Sequence, residues 1–565
     1  MLESHLTEEL TEEERALRPL MAWAQPIIDA AQNRVLVSLA KLETRYPDRL
    51  NRETLEASVR AAFVRPVIEW SQRTLLLELG IARHYQRLEG ATPEERFASF
   101  VAWIGSSAQQ RRIAADYPLL RQDIRLRCRQ VAKFLIGLLT HVARDLPRLA
   151  ALHAAQNGAD AARTETGPLL HFKTQMGQRR SNGKSVTQLS FAHACIYYKP
   201  HGLALEVAYS RLLAWMAQNG VQPSQRGPVA LDRGSHGYVA QVRFAHCDNA
   251  SELNDYYRRF GGLVALTHAL GTTALRHKNL IAAGPWPILI DLETLFQPAL
   301  AATPGKNAKD APAIYSGLLP QASLQPPHID SSALNMPQTA LFSRTPIHAG
   351  TDQMKIMMHR VAAPFASNMA RLQDQLVQPH EYSDAICAGF EQTYRGLLAH
   401  KAALLAPDGP LAAFRSLRVR TILRTNQVYE AALMALTHPN YLESEDQRER
   451  LIARLRPANV SGEAARRAHL RKTPLLRCWP SERLALQRGD IPYFTAQVDS
   501  RDACDEQGEV MARMFATSGW SRAERLIKGL SLQDLLRQLH LVRAAIDLTR
   551  PDALTQKNDS LKEKA

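Results

Sequence analysis

Apolar positions recur at helical spacing through the first quarter of the chain. Val131, Phe134, Leu135, Leu138, Leu139 and Val142 fall at i, i+3, i+4, i+7, i+8 and i+11, the stripe of one helix face. Leu75 to Tyr85 and Pro93 to Ile104 also read as helices, the second with Thr92 as N-cap and Pro93 at the first helical position. Residues 1–155 are therefore expected to form a helical lobe, followed by an Ala- and polar-rich linker from Gln156 to Gly167. Beyond it the pattern turns to strands. Val186 to Phe191 and Ala194 to Tyr198 are short β-favouring runs, and Gly234 and Gly237 flank a turn before a strand through Val239, Val242 and Phe244. A helix from Glu252 to Leu270, a loop and an apolar strand ending at Asp291 complete an expected core over residues 165–300. Residues 301–360, Pro-, Ala- and Ser-rich over most of their length, read as a long loop or lid. Residues 361–550 read as a second helical lobe, with Ser531 and Asp534 capping a run through Leu532, Leu535, Leu536, Leu539 and Val542. Residues 551–565 read as a disordered polar tail. The fold class expected is α+β, mainly helical.

At 565 residues the chain exceeds what one hydrophobic core supports, and its 45% apolar content is ordinary for a globular protein. Its net charge of +15 points to an anionic partner. The basic residues are spread along the chain and carry no nucleic-acid signature, so a nucleic-acid partner is not expected. Six cysteines stand without metal-ligand spacing, so no zinc is expected and a reducing, cytoplasmic setting fits best. No apolar run is long enough for membrane insertion and no signal peptide is visible.

The candidate chemistry lies around residues 271–293. A kinase catalytic loop places a base Asp five residues before a metal-ligating Asn, and a second metal-binding Asp follows a strand further on. Asn279 and Asp291 occupy the two metal positions, but Ala274 stands where the base would be. One amide oxygen and one carboxylate suffice for magnesium beside phosphates, and Glu293 falls on the same side of an extended strand as Asp291. Lys199, ending the run Ile196-Tyr197-Tyr198-Lys199, is placed to hold a nucleotide phosphate. Solvated surface roles for Lys199, Asp291 and Glu293 are the alternatives that spacing leaves open.

Several motifs together resemble the dehydratase domain of class II lanthipeptide synthetases, the LanM type. They are Asp255-Tyr256-Tyr257-Arg258-Arg259, Asn279-Leu280-Ile281-Ala282-Ala283-Gly284, Asp291-Leu292-Glu293-Thr294-Leu295-Phe296 and Gly489-Asp490-Ile491-Pro492-Tyr493-Phe494, with Tyr198-Lys199-Pro200 and Ser316-Gly317-Leu318-Leu319-Pro320. The resemblance covers nearly all of residues 65–545 and implies a protein- or lipid-kinase-like core with large helical additions. In it residues 301–360 would be an activation-segment-like loop. It also implies ATP and Mg2+ as cofactors. The implied activity is phosphorylation of Ser or Thr in a leader-bearing ribosomal precursor peptide, followed by phosphate elimination, with ring closure left to a separate cyclase.

Residue by residue, the resemblance assigns the nucleotide Lys to Lys199, the metal ligands to Asn279, Asp291 and Glu293, and the elimination Arg to Arg420, with Arg424 fitting the same segment. The catalytic-loop Asp and His fall on Ala274 and Arg276, and an upstream Asp and His fall on Gln178 and Arg180. The elimination-site Thr falls on Asn426, beside Thr425, and His277 lies one residue past the expected His. Losing a positioned base costs on the order of a hundred- to ten-thousand-fold in rate, while charge neutralisation and positioning survive. The expected activities are therefore an impaired dehydratase, a pseudoenzyme that binds nucleotide or leader peptide beside an active synthetase, or a kinase with another substrate.

Overall fold

The computed structural model describes residues 10–157, 166–300, 313–321, 332–334, 341–361, 367–457 and 463–550. Three long helices dominate its first part: α1 (Gln25–Arg45), α2 (Arg52–His84) and α3 (Pro118–Asn157). The stripe read from the sequence is buried in α3, and Val35, Leu39, Val59, Phe63, Leu135 and Leu139 are almost fully enclosed where the three helices meet. Thr92 caps the helix Pro93–Gly105 in a reciprocal pair with Glu95, as its spacing requires. The helix expected at Leu75 to Tyr85 is the last third of α2. Helix α3 runs through Asn157, and most of the stretch read as a linker lies outside the described residues.

A five-stranded antiparallel sheet follows. Its strands are β1 (Leu169–Lys173), β2 (Thr187–Phe191), β3 (Cys195–Lys199), β4 (Ala230–Asp232) and β5 (Gly237–Ala240), in the order β1-β2-β3-β5-β4. Side chains alternate between the two faces of a strand. On β3 and β5, Ile196, Tyr198 and Tyr238 enter the core shared with α2 and α3, while Tyr197, Lys199 and Val239 face an open cavity. The sheet thus joins the helical lobe on one side and the candidate site on the other. The strand expected through Val242 and Phe244 stops at Ala240.

Helix α4 (Ala204–Gln218) leads to α5 (Ala250–Ala269) and then to the hairpin of β6 (Leu280–Ala283) and β7 (Trp286–Leu289). Ala283 pairs with Trp286, leaving a two-residue turn in which Gly284 takes φ +59°, a backbone that glycine adopts without cost. Strand β7 ends two residues before Asp291, so that aspartate stands in the loop after it.

Within residues 301–360, read as one long loop, an antiparallel hairpin of β8 (Leu341–Ile347) and β9 (Lys355–Val361) forms; residues 301–312, 322–331 and 335–340 lie outside the described residues. Helix α6 (Ser383–Ala399) crosses α5 so tightly that a Cβ on Gly389 would lie 1.7 Å from the Arg258 carbonyl oxygen. A Cβ on Gly261 would lie 1.9 Å from that of Ile386. Backbones can approach this closely only where the side chain is absent, and Tyr257, Phe260, Phe390 and Tyr394 fill the remaining space.

The C-terminal part is not purely helical. Strand β10 (Arg418–Thr421) pairs with β11 (Phe494–Gln497) in a four-stranded antiparallel sheet completed by Ala503–Cys504 and Val510–Met511. Between them lie α7 (Asn426–Leu436) and α8 (Glu463–Gln487), and α9 (Leu532–Asp547) follows, capped by Ser531 as read from the sequence. The cores do not follow chain order: Tyr429, Leu436, Leu486 and Ile491 pack with the N-terminal helices, whereas Phe390 and Val542 pack with α5. Packing complementarity decides such partnerships, and chain proximity does not. Among the described residues no helix is long and apolar enough to cross a membrane.

Candidate active site

The β6–β7 hairpin brings two distant residues together. Leu280 pairs with Leu289, and the Ile290 amide donates to the Asn279 carbonyl at 2.9 Å, so Asn279 and Asp291 sit at the open end of the hairpin. Asn279 Nδ2 donates to Asp291 Oδ2 at 3.1 Å, and Asn279 Oδ1 accepts from the Arg276 amide at 2.8 Å. An amide oxygen has a second lone pair, so Oδ1 and the Asp291 carboxylate form a hard, oxygen-only donor set of the kind magnesium takes.

Both residues line a cavity of about 400 Å³ together with Lys199 and Glu293. Lys199 reaches it from the end of β3. Its Nζ lies 3.2 Å from Glu206 Oε1, at the start of α4, and donates to the Ile290 carbonyl at 3.1 Å. Burial alone would lower the Lys199 ammonium, but Glu206, Asp291 and Glu293 outweigh it and hold it above its ordinary value. Glu206 was not foreseen, although a carboxylate in the apolar run Leu203-Ala204-Leu205-Glu206-Val207 needs a buried partner.

The loop between β1 and β2 covers the cavity and contributes Gly177, Gln178, Arg180, Ser181, Lys184 and Ser185. Its tip is anchored from the C-terminal part. Asp490 accepts from the amides of Asn182 and Gly183, and Glu506 accepts from that of Ser181. Four basic side chains (Arg180, Lys184, Lys199 and Lys278) line the cavity against two carboxylates, which favours an anionic ligand. Apolar walls come from Val186, Val239, Ile281 and Ile290.

Glu293 stands inside a cage of cations. Its Oε2 lies 3.1 Å from Arg180 Nη1 and 4.0 Å from Arg420 Nη1, and its Oε1 lies 3.1 Å from His201 Nε2. Burial opposes its charge, but Arg180, His201 and Arg420 prevail and hold the carboxyl well below the usual range. The same contact raises His201: burial would lower the imidazole, and the hydrogen bond and charge of Glu293 exceed that effect. The role read for Glu293, support of a metal, competes with these three partners for the same two oxygens.

From this cage a closed polar ring extends. Arg420 Nη2 donates to Asn426 Oδ1 at 2.7 Å, Asn426 Nδ2 donates to Gln178 Oε1 at 2.5 Å, and Gln178 Oε1 also accepts from Arg180 Nη2 at 3.2 Å. Gln178 Nε2 donates on to Glu430 at 2.6 Å. Three of the positions that depart from the LanM pattern are thus linked: Gln178 joins Arg180 to Asn426, and Asn426 joins the chain of contacts to Arg420. One Gln178 oxygen accepts from both neighbours, so the side chains at these three positions form a single hydrogen-bonded network.

Three other candidates lie elsewhere. The Arg424 Nε donates to the buried Glu482 at 2.9 Å, and Tyr429 donates to the same oxygen, so Arg424 serves the packing of α7 against α8 and does not join the cage. Thr425 is exposed at the N-cap of α7 and its side chain makes no cap bond. His277 is exposed and is not part of the cavity wall. Ala274 adopts φ +62°, a left-handed backbone that favours Gly, Asn or Asp over Ala. A second cavity of about 510 Å³ shares Met176, Gly177, Gln178 and Lys278 with the first and continues between α2, the β8–β9 hairpin and α7.

A sequence family described as a domain of unknown function, DUF4135, matches residues 117–497, a stretch that holds the cavity, the cage and the ring. The chain belongs to this family. It is also similar to the Lacticin 481/lactococcin biosynthesis protein LcnDR2 of Lactococcus lactis subsp. lactis, at 22% identity over 501 residues. The match takes in 84% of this chain and 51% of the relative, so the chain spans about half the length of the curated relative it matches. The likeness to LanM-type proteins carried by the motifs therefore extends over most of this DUF4135 chain.

Proposed function

We propose that the protein acts in lanthipeptide biosynthesis, binding ATP with Mg2+ and transferring phosphate slowly to Ser or Thr of a ribosomal precursor peptide, with the phosphate then eliminated. The observation that carries this reading is the meeting of Lys199, Asn279 and Asp291, from three separate chain segments, around one cationic cavity. The Lys199–Glu206 pair supports it further, because kinase-like sites fix their nucleotide lysine with a helix glutamate in this way. At about 400 Å³ the cavity is within the range that takes small-molecule ligands.

In this reading the apolar walls take the adenine, Lys199 and the β1–β2 loop orient the phosphates, and Asn279 with Asp291 hold the ion. The bound nucleotide supplies the phosphoryl group. The adjoining cavity gives an extended peptide a path to the phosphates past Gln178 and Lys278. Ala274 offers no base to position the hydroxyl, so transfer relies on positioning and charge neutralisation. Arg420 remains as a cation for the phosphate leaving group. The test is incubation with ATP, Mg2+ and a precursor peptide encoded beside it, read by mass spectrometry for gain of phosphate or loss of water. Neither change, with nucleotide bound, rejects the catalytic reading.

A second reading is a pseudoenzyme that binds nucleotide or leader peptide for an active synthetase. The ring of Gln178, Asn426, Arg420, Glu293 and Arg180 favours it, because it ties the elimination-site positions Arg420 and Asn426 into hydrogen bonds and ion pairs with groups of the chain itself. Binding of Mg-ATP without peptide modification is the outcome that selects it.

A further inference from the structure

Two carboxylates face the cavity, Asp291 and Glu293, and the amide of Asn279 lines it beside Asp291. As a donor set they suffice for two divalent ions shared with a bound polyphosphate. Their surroundings divide them. Asp291 accepts from Asn279 Nδ2 and from the Glu293 amide, and among the described residues it forms no ion pair. Glu293, two residues on, has one oxygen against Arg180 and Arg420 and the other against His201.

From this we infer that the cavity is a one-metal site, in which Arg180 and Arg420 stand where a second divalent ion would act. The inference rests on the nucleotide reading above and deepens it. For Glu293 to ligate an ion, a guanidinium would have to leave it and remain beside a doubly charged neighbour. Arg180 has little freedom to move: Gln178 accepts from its Nη2, and its guanidinium lies 5.1 Å from the centre of the Tyr493 ring. Arg420 is held by Asn426 through Nη2, and its backbone amide donates to the Glu293 carbonyl at 2.8 Å. The fixed guanidinium of Arg180 lines the cavity, where it neutralises phosphate oxygens without metal, and Arg420 stands on the far side of Glu293. The single ion then belongs to Asn279 and Asp291, which both line the cavity and are hydrogen-bonded to each other.

The experiment counts ions. The full chain is titrated with Mn2+ in the presence of a non-hydrolysable ATP analogue, the bound Mn2+ is followed by electron paramagnetic resonance, and nucleotide affinity is measured by calorimetry with Mg2+ and with EDTA. Wild type is expected to hold one Mn2+ per nucleotide and to lose no more than about tenfold in affinity without metal, because fixed cations already face the phosphates. Arg180→Gln takes away the guanidinium nearest to Glu293 Oε2, leaving Arg420 at 4.0 Å, and is expected to bind a second Mn2+ and to depend more steeply on metal. Arg180→Lys keeps the charge and is expected to stay at one, which preserves the comparison if Arg180→Gln does not fold. Two Mn2+ per nucleotide in wild type overturns this inference and leaves the nucleotide reading standing. Failure to bind nucleotide with or without metal overturns both.

Discussion

Replacing Glu293 by Gln removes the one negative charge from a cage of two guanidinium groups and an imidazole while keeping its shape. At 3.1 Å from Arg180 the attraction lost is about 5 kcal/mol at an effective dielectric constant near 20, and at 4.0 Å from Arg420 about 4 kcal/mol more. Most of that gross figure offsets the desolvation of the three groups. The net cost of breaking one partner out of a buried ion cluster is about 3–5 kcal/mol. That is a large part of a typical folding stability of roughly 5–15 kcal/mol. Urea unfolding near pH 7 should show the loss as a lower midpoint at unchanged slope. The pH dependence tests the cause. The carboxyl is depressed in the folded state, so its contribution is complete above an unfolded value of about 4.3 and is lost as pH falls through the folded value. His201 is raised, so its share is complete below about 6.5 and is lost as pH rises through its folded value. The gap between wild type and variant should therefore be widest between about pH 5 and 6.5, narrowing modestly above and strongly in acid. A gap under about 1 kcal/mol at neutral pH, or one that persists unchanged in acid, refutes the cage as a stabilising cluster.

Ala274→Gly should stabilise the protein by about 0.5–1 kcal/mol, since relief of the left-handed alanine exceeds the added chain entropy, and a thermal melt reads it. Gly389→Ala should cost at least about 2 kcal/mol in the same melt, because its Cβ would meet the Arg258 carbonyl and force α5 and α6 apart. Glu206→Gln should weaken nucleotide binding by about ten- to a hundredfold in calorimetry through loss of the charge-assisted bond that holds Lys199; unchanged affinity would exclude that lysine from the nucleotide site.

The departures from the LanM pattern invite comparison of what was legible at each level. Gln178, Arg180, Ala274, Arg276 and Asn426 are visible in the sequence one at a time, as losses. Only the folded chain puts Gln178, Arg180 and Asn426 in hydrogen-bonding contact, where they read as one replacement network. Arg424 fits the same sequence segment as Arg420, yet its neighbour in space is Glu482, from a helix some sixty positions later, and no local pattern encodes that meeting.

Local physics determined much of this protein from sequence alone. Periodicity located the helix stripe of α3, capping chemistry fixed the starts of two helices, and residue type and spacing marked Lys199, Asn279 and Asp291. These properties depend on a few neighbouring residues, so they survive without knowledge of the fold. Tertiary structure decided what depends on contacts between remote segments: the hairpin that joins Asn279 to Asp291, the pairing of Lys199 with Glu206, and the enclosure of Glu293 by Arg180, His201 and Arg420. Charge interactions act through space over a few ångströms, and distance along the chain carries almost no information about that separation.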